Sequence, residues 1–352
     1  MSHDFVYTAN PARILFGPGS LARIADEVRL LGCRRALVLS TSSRREDAER
    51  LNAQLGELGA GVFSGAVMHT PVHVTEQAMA AFEDAAADCV VALGGGSTIG
   101  LGKAIAYRND APQVVVATTY AGSEVTPILG QTENGLKTTV KGAAILPEVV
   151  IYDAELTLGL PLATSVTSGL NAMAHALEGL YAKDRNPLTG LIAMEGLRSL
   201  KQALPAIVER PRELQARSDA LYGAWLCGTV LGSVGMALHH KLCHTLGGSF
   251  DLPHAETHAI LLPHTAAYNA QAAAEVLAPA ASLFGGELGG GLYDFAGSLG
   301  APLALAALGL RESDLDKAAD LAASNPYWNP RPIERDAIRE LLQRAWSGAR
   351  PR

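Results

Sequence analysis

Between Ser20 and Tyr152 the chain alternates short β-rich runs with longer stretches whose apolar residues recur every three or four positions. The short runs, Arg35–Leu39, Gly59–Ser64, Cys89–Leu93, Gln113–Ala117 and Glu148–Tyr152, predict strands. The longer ones, Ser20–Leu31, Arg45–Leu58, Thr75–Ala87 and Thr98–Tyr107, predict helices that cover them, the rhythm of βαβ units on a parallel sheet. After Pro161 the β-rich runs stop. Long Ala- and Leu-rich helical patterns follow over Val166–Ala182, Pro187–Leu204, Glu213–Val230 and Ser233–Leu246, and the rest through Trp346 reads as helices broken at Gly285–Gly291 and Asn325–Pro332. The pattern predicts an α/β nucleotide-binding domain with a parallel sheet over residues 1–160 and an all-α domain over residues 161–352.

Composition narrows the function classes. Of 352 residues, 48% are hydrophobic and 18% charged, which is a globular rather than a disordered chain. Lys and Arg total 28 against 35 Asp and Glu, a formal charge of -7, which disfavours nucleic acid or an anionic membrane as partner. No apolar run is long enough to span a bilayer and no basic leader precedes one, so a cytoplasmic location is the expectation. The four cysteines, Cys33, Cys89, Cys227 and Cys243, form no C-x-x-C pair and read as reduced, buried side chains.

The candidate chemistry starts at Val90-Val91-Ala92-Leu93-Gly94-Gly95-Gly96-Ser97, an apolar strand running into three glycines with a helical pattern behind them. Glycines let backbone approach a pyrophosphate, and the next helix offers N–H groups and a positive dipole end. The following strand ends in Ala117-Thr118-Thr119-Tyr120-Ala121-Gly122-Ser123-Glu124. Two hydroxyl- and glycine-rich loops at the C-terminal ends of successive strands are where open α/β sheets bind ligands.

These two segments, with Lys103 and with Pro147-Glu148-Val149-Val150-Ile151-Tyr152-Asp153, resemble the iron-containing alcohol dehydrogenase superfamily, and the likeness extends through most of the chain. The resemblance implies an NAD(P)-binding α/β domain, a helical C-terminal domain (the dehydroquinate synthase-like architecture) and a homodimer. Cofactor contacts are expected from Thr41, Gly94, Gly95, Gly96, Ser97, Thr118, Thr119 and Ser123, and from Lys137, which aligns with a family lysine near the ribose. An acidic residue after the strand Ala36–Leu39 would select NADH; Thr41-Ser42-Ser43-Arg44-Arg45 stands there instead, so NADPH is expected to be accepted as well as NADH. A second departure is Gly100, where many members carry Asp.

Seven of the ten histidines, His175, His239, His240, His244, His254, His258 and His264, crowd into the helical half. Asn171 and His175 are four apart, as are His240 and His244, so each pair shares a helix face. Such residues are expensive to bury without a task. Matched position by position, the superfamily's metal ligands, an Asp and three His, fall on Asn171, His175, His240 and His254. The acid is lost at Asn171. Together with His239-His240-Lys241-Leu242-Cys243-His244 and Pro253-His254-Ala255-Glu256-Thr257-His258, this change resembles one branch of the superfamily. That branch implies NAD(P)H-dependent reduction of the carbon–carbon double bond of maleylacetate to 3-oxoadipate in aromatic degradation, with no metal required; whether chloromaleylacetate is also accepted is left open by the sequence.

On that reading the substrate is a small dicarboxylate enone, and proton donors suffice because the reduced enone is an enolate rather than an alkoxide. His240 or His244 is the expected proton donor. His175 and His254 are expected to line the pocket, their protonated forms attracting carboxylates, with Asn171, Tyr120 and Lys241 at the substrate. The competing expectations are a metal-dependent alcohol or glycerol dehydrogenase, a lyase resembling dehydroquinate synthase that uses NAD transiently, and a non-catalytic nucleotide-binding protein.

Overall fold

The elements are those of a computed structural model that describes residues 4–133, 136–324 and 327–351, with only the backbone of residues 136 and 137. The chain folds as two compact units, Ala9–Leu160 with Arg212–Leu221, and Pro161–Pro211 with Tyr222–Arg352.

The first unit contains β1 (Arg13–Phe16), α1 (Ile24–Leu30), β2 (Ala36–Leu39), α2 (Arg45–Leu55), β3 (Gly59–Phe63), α3 (Val72–Asp84), β4 (Cys89–Gly94), α4 (Gly96–Asn109), β5 (Gln113–Ala117), the hairpin β6 (Ile128–Glu133) and β7 (Leu136–Lys141), and β8 (Val149–Tyr152). Six strands form one sheet in the order β1-β8-β5-β4-β2-β3, every pair parallel. Side chains alternate across it with period two. Val38, Val91, Leu93, Val114 and Val116 meet α1 and α2 on one face, while Leu37, Leu39 and Val90 meet α3 and α4 on the other. Both faces are covered, which is why β2, β4, β5 and β8 are apolar at nearly every position.

This topology creates a crevice. From β2 the chain leaves to α2 on one face, and from β4, its neighbour, to α4 on the opposite face. Where adjacent strands send their helices to opposite faces, the C-terminal ends of those strands open between them. Thr41 follows β2 and Gly95–Ser97 follow β4, so both lie at this switch point.

The second unit is helical. It holds α5 (Leu162–Tyr181), α6 (Pro187–Glu209), most of α7 (Leu214–Ser233), α8 (Leu238–Phe250), α9 (His254–Ala270), α10 (Ala274–Leu283), α11 (Leu288–Ser298), α12 (Leu315–Ala323) and α13 (Arg335–Ser347). Asn186 starts α6 by accepting from the N–H groups of Leu188 and Thr189 at 3.1 Å, with Pro187 at the first helical position. Leu238, Leu242 and Leu246 of α8 join Ile260 and Leu261 of α9 and Ala318, Ala319, Leu341 and Leu342 of α12 and α13 in one core. The expectation of one helix over Ser233–Leu246 fails at its start. Gly235 breaks the chain there, its N–H bound 2.9 Å from the Asp184 carboxylate, and α8 begins at Leu238. Among the described residues no single helix is long and apolar enough to cross a membrane, and all four cysteines are free and buried.

Candidate active site

The glycine-rich turn has the geometry of a phosphate seat. Gly94 takes φ +157°, and a Cβ there would stand 2.5 Å from Thr98 Oγ1, so only glycine fits. Gly95 packs as tightly on Thr119, 2.7 Å from where its Cβ would be. Gly96, the first residue of α4, is the opposite case: a Cβ would meet nothing within 4 Å. That open cradle at a helix N-terminus fits the pyrophosphate of a dinucleotide. The Thr118 N–H donates to the Gly94 carbonyl at 3.1 Å, which brings the loop after β5 alongside the turn. Ser97 and Thr119 are half-buried there, and Thr118 is buried.

The other residues expected at the cofactor are placed less uniformly. Thr41 bonds Ser43, Oγ1 to Oγ at 3.0 Å, while Arg44 pairs with Asp47 and Arg45 with Glu49. Ser123 is engaged by Lys103, which is fully buried. The Lys103 ammonium donates to the carbonyls of Ser123 (2.5 Å), Thr126 (2.8 Å) and Ile128 (3.0 Å) and to the hydroxyls of Thr126 (2.9 Å) and Ser123 (3.3 Å). Burial pushes its pKa down to about 7 against the pull of Glu124. Lys103 therefore straps the loop after β5 to α4. Lys137 pairs with Thr132 in the hairpin ladder, and its side chain lies outside the described residues. Tyr120, expected at the substrate, is in the core with no exposed surface, its hydroxyl accepting from Arg217 at 3.1 Å, and is a structural residue. Gly100 also finds its reason, since a Cβ there would lie 2.4 Å from Thr70 Oγ1, and the space an Asp needs is taken.

In the helical unit, three helices each carry polar residues at helical spacing. Asn171, His175 and Glu178 follow one face of α5; His240 and His244 lie on α8; His254 and His258 lie on α9. The ring centroids of His175 and His240 are 5.1 Å apart, those of His240 and His258 5.0 Å, and those of His254 and His258 4.3 Å. Asn171, His175, His239, His240 and His258 are buried, His254 and Lys241 half-buried and His244 exposed. His264 is held apart from this cluster, its ring packing on Tyr293.

The residue that organises the cluster is Glu178, which no sequence motif singled out. Its carboxylate lies at the N-terminus of α8 and accepts the N–H groups of Ala237 (3.2 Å), His239 (2.8 Å) and His240 (3.3 Å), and His240 Nδ1 lies 2.5 Å from it. Burial would raise the Glu178 pKa, but the His240 hydrogen bond first, and then the electrostatic pull of the His240 and His239 side chains and the His239 backbone N–H, outweigh it and hold it at about 2. A carboxylate bound on Nδ1 fixes the orientation of the ring and leaves Nε2 on the side away from it, the arrangement common behind metal-bound histidines. We expect Glu178→Leu to leave these donors buried without an acceptor and to lower the unfolding free energy by about 3–5 kcal/mol in urea titration. A loss below about 1 kcal/mol would show that the network is not needed for stability.

Burial, then the neighbouring histidines, holds His175 and His258 well below the usual imidazole pKa, and burial brings His239 to about 3. His175 is thus neutral at pH 7, which corrects the expectation that it attracts carboxylates as a cation. Four buried atoms here have no hydrogen-bond partner: Asn171 Oδ1, His175 Nδ1, His240 Nε2 and His258 Nε2. Orphaned polar atoms in a dry site are costly, and nitrogen and oxygen donors are types that suit a divalent cation; among the described residues of this unit, however, the ligand atoms that lie within 4.8 Å of one another are those of His239, Cys243 and His258 rather than those of His175, His240 and His254.

The fold and this centre define a nicotinamide-dependent oxidoreductase of the metal-containing dehydrogenase type. A model described as iron-containing alcohol dehydrogenase matches residues 11–154, and one for the C-terminal part of the Fe-containing alcohol dehydrogenase family matches residues 165–346; the chain belongs to the iron-containing alcohol dehydrogenase family. Over 347 residues it is 68% identical to the maleylacetate reductase of a Rhizobium species, with 99% of each chain covered. The crystal structure of maleylacetate reductase from Agrobacterium tumefaciens matches with a TM-score of 0.97 at 67% identity, covering 99% of this chain and 100% of that one. That of an iron-containing alcohol dehydrogenase from Corynebacterium glutamicum matches with a TM-score of 0.94 at 40% identity, covering 100% of this chain and 99% of that one.

Membership of this family overturns the expectation that no metal is required, because the family implies iron. Asn171, at the position that matches the family's acidic ligand, keeps an oxygen donor, and Asn171 Oδ1, His175 Nδ1 and His240 Nε2 are buried without hydrogen-bond partners.

Proposed function

We infer that this chain catalyses the NAD(P)H-dependent reduction of the carbon–carbon double bond of maleylacetate to give 3-oxoadipate. The observation that carries this reading is the buried histidine cluster of α5, α8 and α9, with Asn171 Oδ1, His175 Nδ1 and His240 Nε2 unpartnered, in a chain 68% identical over its length to a maleylacetate reductase. When bound, the nicotinamide supplies the hydride and a divalent cation held by Asn171, His175, His240 and His254 supplies Lewis-acid stabilisation of charge on oxygen.

The chain's own residues do the rest. The Gly94–Ser97 turn seats the pyrophosphate and the N-terminus of α4 faces it. Glu178 holds His240 by Nδ1, so that Nε2 faces the centre. Reduction of a conjugated enone leaves an enolate, and the carbon beside the ketone must then receive a proton. His244 is exposed, one turn from His240 with ring centroids 6.1 Å apart, and imidazole titrates near neutral pH, so His244 is the donor we assign. Burial keeps His175, His239 and His258 neutral, so the substrate carboxylates need another cation. Lys241, half-buried on the same helix with Nζ 5.7 Å over the Tyr327 ring, is placed on α8 to serve.

The test follows oxidation of NADH and of NADPH by maleylacetate before and after metal is stripped. Both cofactors are expected to be oxidised, because the segment after β2 carries no acid, and stripping is expected to abolish turnover until Fe2+ or Zn2+ is returned. Full turnover by protein shown to be metal-free would contradict the assignment of the centre.

A further inference from the structure

Away from the histidine cluster, a second polar site is built on the last turns of α9. His264 and Tyr268 of α9 and Leu341 and Arg344 of α13, each pair at helical spacing, wall a cleft of about 200 Å3 together with Arg331 and Pro351. An adjoining hollow shares Tyr268 and Arg331 with it and runs along Ala270, Gln271 and Ala272. The whole chain has a formal charge of -7, yet the charged groups in the wall of this cleft are the guanidiniums of Arg331 and Arg344 and the carboxylate of Glu340. Arg331 is exposed, lies with Cζ 4.1 Å from the centroid of the Tyr268 ring and makes no ion pair among the described residues. Tyr268 is fixed in turn, its hydroxyl donating to the Pro332 carbonyl at 2.6 Å. Arg344 Nη2 donates to Glu340 at 2.9 Å, a four-residue pair on an open helix face, where such attraction is weak. His264 is only 3% exposed, and its Nε2 is buried with no hydrogen-bond partner. Burial, then the charge of Arg344, brings its pKa down to about 4, so the ring is neutral at pH 7.

We propose that this cleft between α9 and α13 binds the carboxylate of a small organic acid, at a site separate from the reacting centre. A guanidinium is a planar fork that matches the two oxygens of a carboxylate, and the fork of Arg331 is uncommitted. Two cations against one anion leave a single positive charge for one carboxylate to balance. His264 adds a nitrogen that is already out of water, and a neutral imidazole carries an N–H to offer that carboxylate without the cost of ionising the ring. The rest of the wall, Leu341 and Pro351 with Ala270 and Ala272 beside them, suits a short carbon chain, which an inorganic anion lacks. All of these residues belong to the helical unit, so the site is formed without the dinucleotide seat. It is also set off from the histidine cluster, because His264 stands about 9 Å further along α9 than His258.

The experiment titrates the full chain with hexanoate and follows His264 by NMR, its ring identified by contact with the Tyr293 ring against which it packs. We expect a saturable shift with Kd below about 10 mM. Arg331→Gln should weaken binding at least about 10-fold, and because Arg331 is exposed and unpaired this variant should unfold at the wild-type temperature. A further reading needs no variant: bound hexanoate should raise the His264 pKa, since an adjacent anion favours the charged ring. A His264 signal that stays still up to about 50 mM hexanoate while other histidines shift would place the carboxylate at the reacting centre and overturn the proposal. Equal affinity in wild type and Arg331→Gln would overturn it as well. So would hexan-1-ol binding as tightly as hexanoate, which would make the cleft an apolar hollow, or inorganic phosphate doing so, which would make it an unselective anion patch.

Discussion

His240→Ala is expected to lower kcat/KM for maleylacetate by about 10³–10⁴-fold while leaving the KM for NADH within a factor of about two. Two losses combine in this variant. The centre loses one of its unpartnered nitrogens, and Glu178 loses the side chain that Nδ1 presents to it at 2.5 Å. The Glu178 carboxylate still accepts three backbone N–H groups at the start of α8, so the helix keeps its cap and the variant should fold. Residues of the dinucleotide seat belong to the other unit, which is why cofactor affinity should not follow. Steady-state kinetics with each substrate varied separately decides it. A fall of less than about 10-fold would remove His240 from the reacting centre.

Gly96→Val should raise the KM for NADH about 100-fold or more, which corresponds to about 3 kcal/mol of lost binding, with little change in stability. At Gly94 or Gly95 the same substitution would prove little, because the new Cβ would collide with Thr98 or Thr119 and disturb the loop itself. Gly96 is different. Its Cβ would enter open space at the first turn of α4, so a folded protein with a filled cradle is the expected product. The introduced isopropyl group stands where the phosphates must approach the helix N-terminus. Thermal unfolding within a few degrees of wild type, paired with the large KM change, would confirm the seat. An unchanged KM would place the dinucleotide elsewhere.

Much of this architecture was readable from residue order, for physical reasons that differ by element. Strands β4, β5 and β8 are sealed by helices or neighbouring strands, so they are apolar throughout and stand out. β1, only four residues long, and the hairpin β6–β7 have partly polar, half-buried positions and gave no comparable signal. The histidines were conspicuous because their four-residue spacing places them on shared faces. Glu178 was not, although Asn171, His175 and Glu178 continue one stripe of α5; a lone Glu on a helix usually reads as solvent-facing, and only the turn at Gly235 brings the start of α8 onto it. Tyr120 misled for the opposite reason. It sits in a motif that otherwise faces the ligand crevice, yet its partner, Arg217, lies 97 positions away along the chain and draws it into the core. The expectation that no metal is required fails on family membership, because the residue type at Asn171 alone does not outweigh a family that implies iron.

The central claim is that hydride reaches carbon rather than the carbonyl of the substrate. The most direct measurement supplies maleylacetate and stoichiometric NADH deuterated on its transferring face, and identifies the product by NMR. The structure and its relatives predict 3-oxoadipate, the ketone intact and one deuterium on the carbon β to it. An unsaturated alcohol with deuterium on the former carbonyl carbon, the outcome of ordinary alcohol dehydrogenase chemistry, would contradict it.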